Sequence, residues 1–364
     1  MTAMTRHAPI ALILLASSVV AADPPRKAEN VLVVTVDGFR WQEFFTGADE
    51  SFIDSKQGVR EVARLKERYG RDTPQARREA LLPFLWGTVA KQGQVFGNPA
   101  KKSPARITNG LKFSYPGYNE MLCGFPDPRI ASNAKRENPN RNVFEFLAGR
   151  PGFKDRVELF GTWDVFPFIL RTRTNKLPIV AGWEPIPGDK LTDRERWLNE
   201  TMALTPHYWP DNAFDVFTMG AARSAIERRK PRVLYVALGE TDEWAHGRRY
   251  DLYLDSARNS DRFLAETWER LQADPQYKGK TALVVTTDHG RGPTRVDWTD
   301  HGKGVPGAEF VWMMVLGPDT PAVGEVEGVE VTQSQVAATI AALVGEDFCA
   351  TDPKVAKPLP VFGK

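Results

Sequence analysis

The triplet Asp-His-Gly occurs at 288–290 and again at 300–302, so two of the chain's five histidines stand in matching surroundings within one short stretch. Carboxylate oxygens and imidazole nitrogens in mixed sets are the donors that hold zinc and related ions in hydrolytic sites. The same donor types recur elsewhere. Asp37 follows the apolar run "VLVVTV", and Asp242 and His246 are spaced i,i+4 in "DEWAH". Asp37, Asp242, Asp288, His246, His289 and His301 make three carboxylates and three imidazoles, more than one tetrahedral ion requires and enough for two. Taken singly each has an ordinary role: Asp37 as a helix cap, His246 as a surface histidine, Asp288 as a turn former. His7 and His207 have no partner in this pattern.

A two-ion hydrolytic site calls for a nucleophile. In "LKFSYPGYNEMLCG", Leu111 to Gly124, Pro116 and Gly124 bracket a short apolar-periodic segment that reads as a helix, with Ser114 at its start. Unpaired backbone N–H groups there favour an anion, although a serine in that position also serves as a plain helix cap.

The elements that must position these residues are strands buried on both faces. "VLVVTVDG" from Val31, "RVLYVALGETD" from Arg232 and "TALVVTTDHG" from Thr281 are continuous β-branched or apolar runs that finish in acidic or imidazole side chains. Between the last two, Tyr250 to Gln272 has the apolar spacing of a crossover helix. Glu309 to Pro318 reads as a further strand, and Gln333 to Gly345 as a helix closed by glycine. The expected fold is α/β, a mostly parallel central sheet with helices on both faces, whose ligand crevice lies beyond the carboxyl ends of the strands. One catalytic domain is expected over residues 28–364. The stretch of about 125–230, rich in Pro, Asn and Arg and with one strand at "RVELFG", is expected to complete the sheet and form a loop-rich cap.

Lys+Arg 48 against Asp+Glu 46, with no basic tract interleaved with aromatics, argues against a nucleic-acid duplex as partner. Residues 1–22 read as a secretory signal: Arg6 and His7, an apolar run from Ala8 to Val20, then small residues at Ala21 and Ala22. A periplasmic or secreted protein without stable membrane insertion after cleavage is expected. Export permits a disulfide between Cys123 and Cys349, but two widely separated cysteines do not establish one.

The order of these motifs, an Asp at the first strand end, Ser before a Tyr-Pro helix start, Asp-x-x-x-His, Asp-His-Gly and a final His, resembles the alkaline phosphatase superfamily, and most nearly its type I phosphodiesterase/nucleotide pyrophosphatase branch. The resemblance implies an alkaline phosphatase-like fold and hydrolysis of a small-molecule phosphate ester, monoester or diester, through a phosphoseryl intermediate on Ser114. It implies two divalent metal ions, zinc foremost: one held by Asp242, His246 and His301, the other by Asp37, Asp288, His289 and the Ser114 oxygen. A phosphoryl-binding Asn of the branch best matches Asn133, with Asn119 as rival; Lys112, Arg129, Trp163 and Lys303 are further candidate substrate contacts. The sequence departs from the branch at the nucleophile, where Thr-Phe-Pro-Asn is replaced by Ser114-Tyr115-Pro116-Gly117. A sulfatase of the superfamily would need Arg where Tyr118 stands. A phosphoryl or phosphoethanolamine transferase, or a sulfatase-like hydrolase of the same superfamily, remains as the alternative within the enzyme class, and a metal-containing binding protein outside it.

Overall fold

The computed structural model describes residues 26–363, so the expected signal segment lies outside the described residues. The strands are β1 (Asn30–Val36), β2 (Gln94–Phe96), β3 (Ala105–Arg106), β4 (Val157–Gly161), β5 (Ile179–Ala181), β6 (Val233–Leu238), β7 (Thr281–Thr286), β8 (Phe310–Val311), β9 (Met313–Leu316), β10 (Gly324–Glu325) and β11 (Val331–Thr332). Eight of them form the central sheet in the order β10-β2-β9-β7-β1-β6-β4-β5, and β11-β3-β8 form a small second sheet.

The strand β1 lies inside the sheet and is buried along its whole length. β1 pairs in parallel with β6 on one side and β7 on the other, with Val33 opposite both Tyr235 and Val284. Side chains alternate across a strand, so Val31 and Val33 enter one core while Leu32, Val34 and Val36 enter the other. Full burial of each such side chain stabilises by about 1.5–3 kcal/mol, which makes a charged residue within β1 intolerable. The first core is closed by the helices Ser114–Cys123 and Gln335–Leu343, the second by Asp215–Arg229 and Tyr250–Ala273. Helices therefore cover both faces.

Two details differ from the sequence reading. The expected strand at Glu309–Pro318 is divided: β8 joins the small sheet, while β9 enters the central sheet antiparallel to both β2 and β7. Trp312 lies at the break, fully buried, with its ring stacked on Phe44 at 3.9 Å and its Nε1 donating to the Phe39 carbonyl at 2.9 Å. In the stretch 125–230, β4 stands where one strand was expected, but β5 was not foreseen. Its three residues pair only with β4 at the sheet edge, too short a run to show a period. Cys123 is buried, Cys349 half-buried, and both are free thiols. No helix among the described residues is long and apolar enough to cross a membrane.

Candidate active site

The three central strands end level, Val36 opposite Leu238 and Thr35 opposite Thr286, and the loops beyond them carry the acidic residues. Asp37 follows β1 directly and Asp288 lies just past β7. Asp242 is not at a strand end. β6 stops at Leu238, and Asp242 sits in the first turn of the helix Glu240–His246. The chain turns there because the buried Asp215 carboxylate accepts the Gly239 and Glu240 N–H groups, while Glu240 accepts the Asp215 N–H. A one-turn spacing on that helix brings His246 Nε2 to 3.2 Å from Asp242 Oδ2.

His289 is fully buried among the carboxylates. Its Nε2 lies 3.4 Å from Asp37 Oδ1, 3.5 Å from Asp288 Oδ2 and 3.6 Å from Asp242 Oδ1. His301 Nε2 is 3.8 Å from Asp242 Oδ1 and 3.0 Å from His246 Nε2. Both rings are oriented from behind: Nδ1 of His289 meets the Gly290 carbonyl at 3.0 Å and Nδ1 of His301 the Lys112 carbonyl at 3.2 Å. Such back-side bonds fix the tautomer and aim Nε2 inward. Two donor groups result, Asp37-Asp288-His289 and Asp242-His289-His301, each with its ligand atoms within 4.8 Å of one another.

These residues fit divalent ions. Asp37 Oδ1 and Asp288 Oδ2 are buried acceptors without a hydrogen-bond partner. Burial, and then the like charge of Asp242, raises the Asp37 carboxyl well above its ordinary range; burial and Asp37 do the same to Asp288. Burial alone would raise Asp242 too, but the Arg291 guanidinium and His246 hold it well below. Buried carboxylates this close together need positive charge among them. Burial and the neighbouring His289 push the His301 imidazole down to about 2, which leaves its nitrogen free to ligate.

Ser114 begins the helix Ser114–Cys123, but it is not its cap. Phe113 occupies the N-cap position, and Ser114 Oγ is instead 3.3 Å from His289 Nε2. The loop ahead of it is set by Asn109, whose Oδ1 accepts the Leu111 and Lys112 N–H groups and supports Lys112 at φ 59°. Gly117 now has a reason: a Cβ there would lie 2.5 Å from the Asp288 carbonyl oxygen, so the helix approaches the ligand loop closely only without a side chain. Gly38, at φ 57°, makes the same allowance on the other side, where a Cβ would meet Asp242 Oδ1 at 2.5 Å.

A cleft of about 180 Å³ opens over these groups, lined by Asp37, Ser114, Asn133, Trp163, Asp211, Asn212, Asp242, Glu243, His246 and His301 among others. Asn133 lines the cleft, and its Oδ1 accepts the Tyr115 N–H at 3.0 Å, which leaves the Nδ2 donors uncommitted to that bond. The rival Asn119 is buried in a polar network with Phe125, Asn138 and Asn140. The Lys112 ammonium pairs with Glu309 at 2.9 Å and the Val305 carbonyl at 3.1 Å; the Arg129 guanidinium lies on Asp127, and neither residue lines the cleft. Lys303 is exposed. His207 stacks on Trp183.

Several participants escaped the sequence reading. Tyr118 donates to Asp37 Oδ2 at 2.9 Å; it follows Ser114 by one helical turn, a spacing that would have found it. Arg291, fully buried, donates to Gly38, Thr299 and Asp242. Only its place after the first Asp-His-Gly hints at this. Asp211, Asn212 and Glu243 line the cleft, and burial together with Asp242 and Asp211 pushes the Glu243 carboxyl up to about 7.

Residues 49–305 match the family described as type I phosphodiesterase / nucleotide pyrophosphatase, a span that takes in Ser114 and every ligand candidate except Asp37. No curated protein matches the sequence. Among solved structures, wild-type alkaline phosphatase PafA superposes with a TM-score of 0.60 at 12% identity, covering 94% of this chain and 100% of that one. The phosphonate monoester hydrolase SpPMH from Silicibacter pomeroyi gives 0.53 at 13% identity over 91% of this chain and 76% of its own. The lipoteichoic acid synthase LtaP from Listeria monocytogenes gives 0.53 at 11% identity over 88% and 73%. At such identities the structures share the fold, while the matched span of sequence carries the kinship: the chain belongs to the type I phosphodiesterase / nucleotide pyrophosphatase family.

Proposed function

We propose that this protein is an exported phosphoester hydrolase that carries two divalent ions, zinc by the chemistry of its donors, and works through a phosphoseryl intermediate on Ser114. The observation that carries the reading is the 3.3 Å separation of Ser114 Oγ from His289 Nε2, at a cleft where two sets of ligating atoms meet. Asp242, His246 and His301 would hold one ion and Asp37, Asp288 and His289 the other. When bound, the pair supplies Lewis-acid stabilisation of charge on the attacking and departing oxygens.

The chain's own residues do the rest. The Ser114–Cys123 helix presents Oγ at its first residue, and the Asn133 amide offers a donor to a non-bridging phosphoryl oxygen. Attack by Oγ forms the Ser114–phosphorus bond as the ester's alcohol leaves with a proton. Water then cleaves that bond, releasing phosphate or its monoester and restoring the hydroxyl. Export rests on the basic, apolar and small-residue succession of residues 1–22.

The test is to incubate the zinc-loaded protein briefly with phosphorus-labelled aryl phosphate and aryl phosphodiester substrates at acidic pH, quench, and map the label. Label on the peptide that contains Ser114, absent from Ser114→Ala, supports the reading. Undiminished turnover by Ser114→Ala overturns it. Transfer of label to an added alcohol in preference to water identifies a transferase instead.

A further inference from the structure

The helix that starts at Ser114 carries a buried acid that the proposed chemistry leaves unused. Glu120 is fully buried in the last turn, where both desolvation and the helix dipole oppose an anion. Burial accordingly raises its carboxyl above the ordinary range. Only donors face it. Thr108 N lies 2.9 Å from both oxygens; Oε1 also accepts from Thr108 Oγ1 at 2.8 Å and Ser334 Oγ at 2.9 Å, and Oε2 from Asn109 N at 2.9 Å and Asn109 Nδ2 at 3.0 Å. None of these groups is charged, so the reason for a carboxylate here lies in what it holds.

It holds the turn ahead of Ser114. The Asn109 amide is committed at both ends, with Nδ2 on Glu120 while Oδ1 accepts the Leu111 N–H at 2.9 Å and the Lys112 N–H at 3.0 Å. The turn so closed keeps Lys112 at φ 59°, a region few lysines occupy. Its carbonyl thereby meets His301 Nδ1 at 3.2 Å, and Ser114 follows two residues on. The path from Glu120 through Asn109 to Lys112 ends on both site residues. The other ligand set is held elsewhere: Asp288 Oδ1 accepts the Gly38 N–H at 3.0 Å, Asp37 takes the Tyr118 hydroxyl, and the His289 ring meets the Gly290 carbonyl.

We propose that Glu120 and Asn109 are a pair of positioning residues that fix the turn 109–112, and with it the placement of His301 and Ser114 relative to one another. The inference rests on the proposed two-ion hydrolase, within which it concerns the ion of Asp242, His246 and His301 and the attack by Ser114.

The chemistry of the pair separates this role from plain stability. Glu120→Gln keeps the shape but turns an amide N–H toward N–H donors, and Asn109→Asp keeps the Oδ1 acceptor but sets a second carboxylate against Glu120. The double variant, Asn109→Asp with Glu120→Gln, restores a donor facing an acceptor at the parent net charge. Zinc affinity is read without substrate, by competition with a chromophoric chelator, in backgrounds of Asp288→Ala and His301→Ala that leave one ligand set each. In the Asp288→Ala background each single variant should weaken zinc by about tenfold or more, the scale of a lost partner behind a ligand, and in the His301→Ala background by less than about twofold. The double variant should recover part of the loss, as coupled neighbours do. Asn109→Ala, at a half-buried position, tests the same link should Glu120→Gln fail to fold. Equal losses in the two backgrounds, no loss in either, or a double variant no better than both singles overturns the proposal. So does an undiminished kcat of the single variants at saturating zinc, with the parent active on an aryl phosphodiester. Should the parent bind zinc and hydrolyse nothing while the selective loss persists, the positioning of His301 stands and the hydrolase reading fails.

Discussion

Arg291 donates through Nη2 to both the carboxylate and the main-chain oxygen of Asp242, so a permanent cation stands directly behind a candidate metal ligand. The same guanidinium holds Gly38 through its carbonyl at 3.1 Å and Thr299 through its carbonyl. It therefore ties the loop after β1 to the helix Glu240–His246 and to the approach to His301. It also keeps Asp242 ionised where burial alone would protonate it.

Arg291→Met should remove that tie and leave a buried carboxylate without its cation. Breaking a buried pair in this way costs about 3–5 kcal/mol. The loss is expected to be larger in chelator-treated protein than in zinc-loaded protein, because bound ions would supply part of the missing charge. Thermal denaturation with and without zinc checks this, and equal losses in both states would count against the placement of Asp242 beside an ion.

Gly117→Ala should cost more activity than stability. The added Cβ would press on the Asp288 carbonyl and shift the first turn of the helix that carries Ser114. Overpacking of this kind destabilises by about 1–3 kcal/mol, whereas misplacement of a reacting group by about 1 Å can lower turnover on the order of 100-fold. Gly117→Asn, which restores the residue common in the branch, should fare no better in this chain. Turnover measured beside circular dichroism separates the two effects.

Removal of ligands should divide the metal content. Asp288→Ala is expected to lose one ion and His301→Ala the other, from close to two equivalents in the parent protein. His289→Ala should weaken both, since its nitrogen lies within 3.6 Å of Asp37, Asp288 and Asp242 alike. Elemental analysis after dialysis reads the outcome. Loss of the same single ion from all three variants would contradict the division.

Tyr118→Phe deletes the hydrogen bond to Asp37 Oδ2 and the hydroxyl's interaction with Thr35, and leaves the ring in place. Partners behind a ligand of this kind are worth about 10–100-fold in metal affinity. Competition with a chromophoric chelator should show a loss in that range, with little change in the helix itself.

Acid stability should depend on Glu195, far from the cleft. Burial opposes its charge, but the Arg228 guanidinium and hydrogen bonds from Thr192 and Ser224 outweigh it and bring the carboxyl down to about 2. A depressed folded-state pKa contributes stability above the unfolded value, near 4.3, that is lost as pH falls through about 2. Glu195→Gln should therefore lower stability at neutral pH, by about 1–3 kcal/mol for a charged hydrogen bond, and flatten the decline between pH 4 and 2. Urea denaturation across that range provides the check.

Local pattern determined much of this protein. The uninterrupted apolar runs at β1, β6 and β7 could be stable only inside a sheet covered on both faces, and side chains just past such strands must gather at one edge. That is why Asp37, Asp288 and the histidines could be named from their spacing, and why Pro116 and Gly124 marked the helix that carries Ser114. Tertiary structure decided what depends on neighbours distant in sequence. The division of β8 from β9 follows from the seat of Trp312 against Phe44 and Phe39, and the end of β6 from the Asp215 carboxylate that caps the turn. Arg291, Asp211, Asn212 and Glu243 were hidden for the same reason. A hydrogen bond or ion pair leaves no period in the sequence, and whether an arginine lies on the surface or behind a metal ligand is settled only when the chain closes around it.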